Sequence, residues 1–229
     1  MLVTLHVWRV RRRSLGGALR RMATEPRRLR ALPGVRFAKL LGTGTGTSFG
    51  PGDSDLTRWA ALVVWEGDAA TERVDDGWRG IATGRARVDL TPLTSTGTWS
   101  GTRPFGEPSG GRTDGMVLAL TRARLRPGKA LTFWRAVPPV AAELAAAPGL
   151  LARFGVGEAP IGWQGTVSVW RGTAELIAFA YRQPEHRAVM ARTPVDRWYA
   201  EDLFARFAVR EVSGDRAVLG WRAGGQADR

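Results

Sequence analysis

Short runs of alternating apolar and polar residues are separated by segments whose apolar positions recur at helical spacing. LVTLHVWRV (2–10) is rich in β-branched residues and predicts a strand in which His6, Trp8 and Val10 share one face. Residues 14–30 set Leu15, Ala18, Leu19, Met22 and Leu29 on one face of a helix. PGVRFAKLLGTG (33–44) predicts a turn and a strand, and RWAALVVW (58–65) a buried strand. A weak helical segment at about 68–84 precedes a strand in ARVDLTPL (86–93).

The same order then repeats. MVLALTRARL (116–125) predicts a strand, and 130–147 a helix bent or broken at Pro138 and Pro139. PGLLARFGVG (148–157) echoes PGVRFAKLLGTG, and GTVSVW (165–170) echoes WAALVVW. Residues 172–181 predict a helix, 184–191 a shorter one, and LFARFAVREV (203–212) a closing strand. Each half reads βαββαβ, the split βαβ pattern. The expected fold is α+β: tandem ferredoxin-like repeats forming a dimeric α+β barrel-type fold within one chain. Its halves are 1–110, including a Gly/Pro/Ser-rich connection at 100–114, and 111–229. Trp65 and Trp170 mark matching strand ends; sixteen positions on, His186 in the second half corresponds to Ile81 in the first, which therefore has no matching histidine.

Composition narrows the chemistry. Apolar residues make up 44% of the 229 positions, with ten Trp and eight Phe, enough for a core and for an apolar cavity. The net charge of +13 is carried almost wholly by Arg, since Lys occurs only at 39 and 129. That balance favours an acidic partner such as an electron-transfer protein or an anionic membrane surface. No nucleic-acid-binding motif accompanies it, and nucleic acid is not expected as a partner. The absence of cysteine excludes disulfides, thiolate haem, cysteine-ligated iron–sulfur clusters and a cysteine nucleophile. No apolar run approaches the ~20 residues of a membrane span. MLVTLHVWRVRRR is basic only after its apolar part, the reverse of a signal peptide, so the expectation is cytoplasmic.

GTGTGTSFG (42–50) follows a strand as a phosphate loop would, but no helix opens after it and no GK[ST] ending is present; it reads as a loop between strands. The helix at 14–30 carries Arg20, Arg21, Arg27, Arg28 and Arg30, with Arg11 to Arg13 before it. Its apolar face is needed to cover the sheet, yet its arginines suit lipid headgroups. His6 reads as a structural strand histidine. His186, in a first helical turn after Pro184, reads either as an exposed helix histidine or as an axial ligand, with Glu185 available to orient its second nitrogen.

Five segments carry a family resemblance: GVRFAKLLGTGTGTSF, RWAALVVW, LTFWRAVPPVAAELAAAPGL, GVGEAPIG and FAYRQPEHRAVMARTPVDRWYAEDLFARFAV, between Gly34 and Val209. The chain resembles the spheroidene monooxygenase family of carotenoid-modifying enzymes, including its actinobacterial relatives. The resemblance implies an oxygenase of acyclic carotenoids that uses O₂, electrons from a reduced ferredoxin, and a haem iron. It implies successive hydroxylation at one carbon near the chain end, followed by loss of water to a ketone. On these residues His186 becomes the candidate haem and metal ligand. Trp134 and Arg135 become candidate catalytic residues, with Arg135 placed to bind a haem propionate or polarise oxygen. An insoluble substrate adds an expected peripheral membrane contact. Two other readings stand beside this one: a cofactor-independent barrel monooxygenase of phenolic or polyketide-like substrates, and a non-enzymatic carrier of an apolar ligand.

Overall fold

The structure, a computed structural model, describes residues 1–47, 51–67, 69–108, 110–158, 163–183, 187–188 and 198–222. In chain order these form β1 (Leu2–Val10), α1 (Leu15–Arg30), β2 (Val35–Gly44), β3 (Ser54–Trp65), β4 (Ala82–Gly97), β5 (Val117–Leu125), α2 (Ala130–Ala146), β6 (Leu150–Gly157), β7 (Trp163–Trp170), α3 (Thr173–Arg182) and β8 (Tyr199–Gly214). The strands close into one barrel in the order β1-β3-β2-β6-β7-β5-β8-β4, antiparallel throughout. Within each half the order is that of a ferredoxin-like sheet, so the expected α+β tandem repeat is the observed fold.

Two seams join the halves, and they differ. β4 and β8 pair from Ala86↔Gly214 to Gly97↔Leu203. Among the described residues, β2 and β6 meet only at Gly42↔Gly157, Thr43↔Val156 and Gly44↔Gly155.

Strand alternation explains the layers. Val3, Leu5 and Val7 point into the barrel, where they join Leu62, Val88, Leu118, Leu120, Phe154 and Phe207 in one core. The interior is packed with side chains. The connection between halves contributes to it: Trp99 is fully buried, and Phe105 meets Phe207 edge-on at 4.8 Å. Composition had marked this stretch only as a Gly/Pro/Ser linker.

Each barrel end is closed by a buried arginine. Arg122 shares the inward face of β5 with Leu118 and Leu120. It donates to Glu201 and, at 2.8 Å, to Glu158, which also accepts from Trp99 Nε1 (2.7 Å) and Lys39 (2.6 Å). Burial alone would raise the Glu201 carboxyl; the Gly101 N–H and the Arg122 guanidinium override it and hold the group at about 2. At the opposite end Arg58 stacks over Phe154 (4.9 Å), hydrogen-bonds Thr43 and Gly44, and lies 3.8 Å from Asp55.

The pattern misjudged three details. The segment at 68–84 holds only a 3₁₀ turn, Thr71–Gly77, before β4 begins at Ala82; glycines at 67, 77 and 80 favour that over an α-helix. Of the bend or break expected at Pro138 and Pro139, the break does not occur: α2 continues through both, which are exposed. Leu19, expected on the buried face of α1, is 56% exposed, because Ala18 and Leu29 carry the contact with the sheet.

Candidate functional site

The repeat can be read residue by residue, because Leu2 pairs with Trp65 as Val117 pairs with Trp170. That register makes Thr4 equivalent to Ala119, His6 to Thr121, Trp8 to Ala123, Trp59 to Gln164 and Ala61 to Thr166. The next strands extend it: His6↔Arg87 matches Thr121↔Phe204, and Thr4↔Asp89 matches Ala119↔Arg206. All these positions lie on the outer face of the sheet, toward the helices.

In the first half this face is sealed. Thr4 and His6 are fully buried, Trp8 and Trp59 nearly so. Trp65 Nε1 donates to Thr4 Oγ1 at 2.9 Å, His6 Nε2 lies 3.2 Å from that hydroxyl, and His6 Nδ1 lies 3.1 Å from Asp75 Oδ1. With the His6 proton on Nδ1, every donor in the chain from Trp65 to Asp75 has an acceptor. Burial alone would raise the Asp75 carboxyl, but His6, Trp8 and Arg85 hold it below its ordinary value. Trp78 stacks on Trp8 at 4.6 Å and closes the cluster. A depression of about 170 Å³ beside Trp8, Asp75, Trp78 and Arg85 is smaller than the ~300 Å³ at which small-molecule sites begin. His6 is a structural histidine, as the strand pattern suggested: neither ring nitrogen is available to a metal.

The second half leaves the same face open. Its equivalents are small: alanine for Thr4 and Trp8, threonine for His6, glutamine for Trp59. Thr121 is exposed although β5 is a central strand, and Phe204 is 45% exposed. The helix contributes to this opening. α1 lies close against β2, whereas α2 comes equally close to no strand. Val137, Ala141 and Leu144 bury the C-terminal part of α2, and α3 adds Leu176 and Phe179 over Trp170. The N-terminal part of α2 leans on Phe133, 5.6 Å from Trp198 and 5.8 Å from Tyr199. Beside this helix the sheet presents Ala119, Thr121, Thr166, Phe204 and Arg206 on its outer face, the floor of the candidate cleft.

The candidate residues fall unevenly around this cleft. Trp134 flanks it, half-buried, with Nε1 donating to Gln164 Oε1 at 3.0 Å. Arg135, the next residue, is exposed on α2. His186 and Glu185 lie outside the described residues; Gln183 at the end of α3 and Trp198 just before β8 bracket that stretch in the chain. Among the described residues no group of three His, Asp or Glu side chains could hold a metal ion. The residue that the sequence reading missed is Arg206. Its signal was the alternation of β8, which sets Phe204 and Arg206 on the face opposite Leu203, Ala205 and Phe207.

The Gly/Thr loop after β2 has its own occupant. Gly46 N–H donates to Asp53 Oδ2 at 2.9 Å, and the hydroxyls of Thr45 and Thr47 donate to Asp53 Oδ1. Its amide nest therefore holds the protein's own carboxylate.

No family model matches the chain. Curated relatives do. The spheroidene monooxygenase of Rhodobacter capsulatus is 34% identical over 212 residues, covering 88% of this chain and 86% of that protein. The chain belongs to the spheroidene monooxygenase family. A second member, from Rubrivivax gelatinosus, is 35% identical over 189 residues, covering 80% of this chain and 72% of that protein. Membership makes the protein an oxidoreductase of the monooxygenase type. Among solved structures, an aldoxime dehydratase shares the fold at a TM-score of 0.57 with 14% identity, covering 91% of this chain and 80% of that one. A butyraldoxime complex of an aldoxime dehydratase gives 0.58 with 12% identity over 91% of this chain and 79% of that one.

Proposed function

We propose that the protein oxidises an acyclic carotenoid with O₂, taking electrons from a reduced ferredoxin or a similar acidic donor. The family supports the substrate class. The observation that carries the location is the open outer face of the second half, beside its sealed counterpart in the first. Each round converts C–H to C–OH, consuming one O₂, two electrons and two protons and releasing one water. Two rounds at one carbon give a geminal diol, which loses water to leave a ketone.

The residues of this candidate cleft suit a haem in their chemistry. Small residues replace Thr4, His6, Trp8 and Trp59 of the other half, aromatic rings stand at one wall, and a cationic side chain lies on the floor. When bound there, haem would supply the activation of O₂. His186, the second of the two histidines in the chain, is the residue that would hold the iron. Trp134, fixed by Gln164, would form a wall of the pocket and keep water from the reacting carbon.

The surface suits the proposed surroundings. Arg11, Arg12, Arg13, Arg20, Arg27 and Arg30 are exposed at and before α1, a face for an acidic electron donor or for anionic lipid. No helix among the described residues is long and apolar enough to cross a membrane, so approach to a membrane-dissolved substrate would be peripheral.

An absorption spectrum of protein produced with ample haem tests the reading. A Soret band that His186→Ala loses is the expected result. Colourless protein with no affinity for added haem overturns the haem mechanism, and turnover by haem-free, metal-free protein would favour the cofactor-independent reading instead.

A further inference from the structure

We infer that Arg206 is the anion anchor of the second-half cleft, pairing with a carboxylate of the ligand bound there. On the haem reading, on which this inference rests, that carboxylate is a propionate.

The inference starts from the equivalent position in the first half. Asp89 occupies it, and two residues before it along the strand stands Arg87. The two pair internally, Arg87 Nη2 donating to Asp89 Oδ2 at 3.2 Å, so that face neutralises itself. In the second half the charge is reversed and its partner is gone. Arg206 replaces Asp89, and Phe204 replaces Arg87.

No hydrogen bond or ion pair joins Arg206 to another of the described residues. Across the pairs it meets Ala119 on β5 and Thr94 on β4, neither of which carries a charge. The remaining floor is equally uncharged: Thr121 and Thr166 offer hydroxyls, and Phe204 a ring. This partly buried guanidinium among alanine, threonine and phenylalanine has no anion among the described residues, and a carboxylate would supply one by a charge-assisted and often bidentate pair. Arg135, which the sequence reading had offered for this role, is exposed on the helix, whereas Arg206 lies on the sheet that floors the cleft.

Haem titration of the apoprotein, followed at the Soret band, tests the assignment with Arg206→Ala, Arg206→Lys and haem dimethyl ester, which lacks both propionate charges. Arg206→Ala is expected to weaken haem binding by roughly tenfold or more, the scale of one charge-assisted hydrogen bond, and Arg206→Lys to retain part of it. The ester should bind wild type and Arg206→Ala alike. Thermal melts of the apoproteins should coincide, separating lost binding from lost folding. Unchanged haem affinity in Arg206→Ala, or an ester that still discriminates the two proteins, overturns the anchor while leaving haem binding in place. Wild type that takes up no haem removes the haem reading and the anchor together.

Discussion

His6 and Thr121 stand at the same register position of two equivalent sheets, yet one is sealed from solvent and the other exposed. The backbone plan is shared, so the difference lies in side-chain volume and in how closely the helix lies on the sheet. In the first half Trp8, Trp59 and Trp78 fill the space under the covering elements, and a hydrogen-bonded line from Trp65 to Asp75 satisfies the polar groups they bury. In the second half alanine, threonine and glutamine occupy the matching sites, and α2 lies less closely on the sheet than α1 does on β2. One half is a structural block, and the other leaves the same surface open.

Substitutions can test that division. Trp8→Ala should be the most damaging, at about 3–5 kcal/mol, since it removes a stacked, fully enclosed ring and leaves a cavity; a chemical denaturation midpoint measures it. Asp75→Asn should cost about 1–3 kcal/mol near neutrality by weakening the buried acceptor shared by His6 and Trp8. Its pH dependence adds a sign. The Asp75 carboxyl is depressed below 3.8 in the folded protein, so its contribution is present above pH 3.8 and fades as pH falls through the lower folded value. Wild type should therefore lose more stability on acidification below pH 3.8 than Asp75→Asn does. Thr121→Phe should shift stability least, within about 1 kcal/mol at its exposed site. The same change should abolish haem uptake by filling the cleft, while an equal loss of haem and of stability would make the second-half face structural too.

Much of the architecture could be read before the fold was seen. The period-two runs located the strands, and Trp65 and Trp170 gave the register of the repeat. Carrying that register one step further would have exposed the exchange of His6 for Thr121 and Trp8 for Ala123. The exchange of Asp89 for Arg206 needed the pairing of β1 with β4 and of β5 with β8, which no local pattern specifies. Arg122 was visible as a charge at an inward position of MVLALTRARL. Its partners were not, since Glu158 follows β6 and Glu201 lies on β8, while Lys39 of β2 joins the group only through Glu158. Trp99 and Phe105 were hidden for a different reason: a Gly/Pro/Ser composition suggests a solvated linker, and only tertiary closure turns its two aromatics into a plug. His186 carried the candidate ligand role by its type, its neighbours and the family, and falls outside the described residues.

The short seam between β2 and β6 has a consequence for how the barrel fluctuates. Among the described residues, four of its six paired positions are glycines, Gly42, Gly44, Gly155 and Gly157, so the paired stretch itself has few side chains to interlock. Such a junction offers few apolar contacts and gains the most backbone entropy on release. Transient opening should therefore begin along this line, with the long β4–β8 ladder acting as the spine that keeps the two covers of the book together.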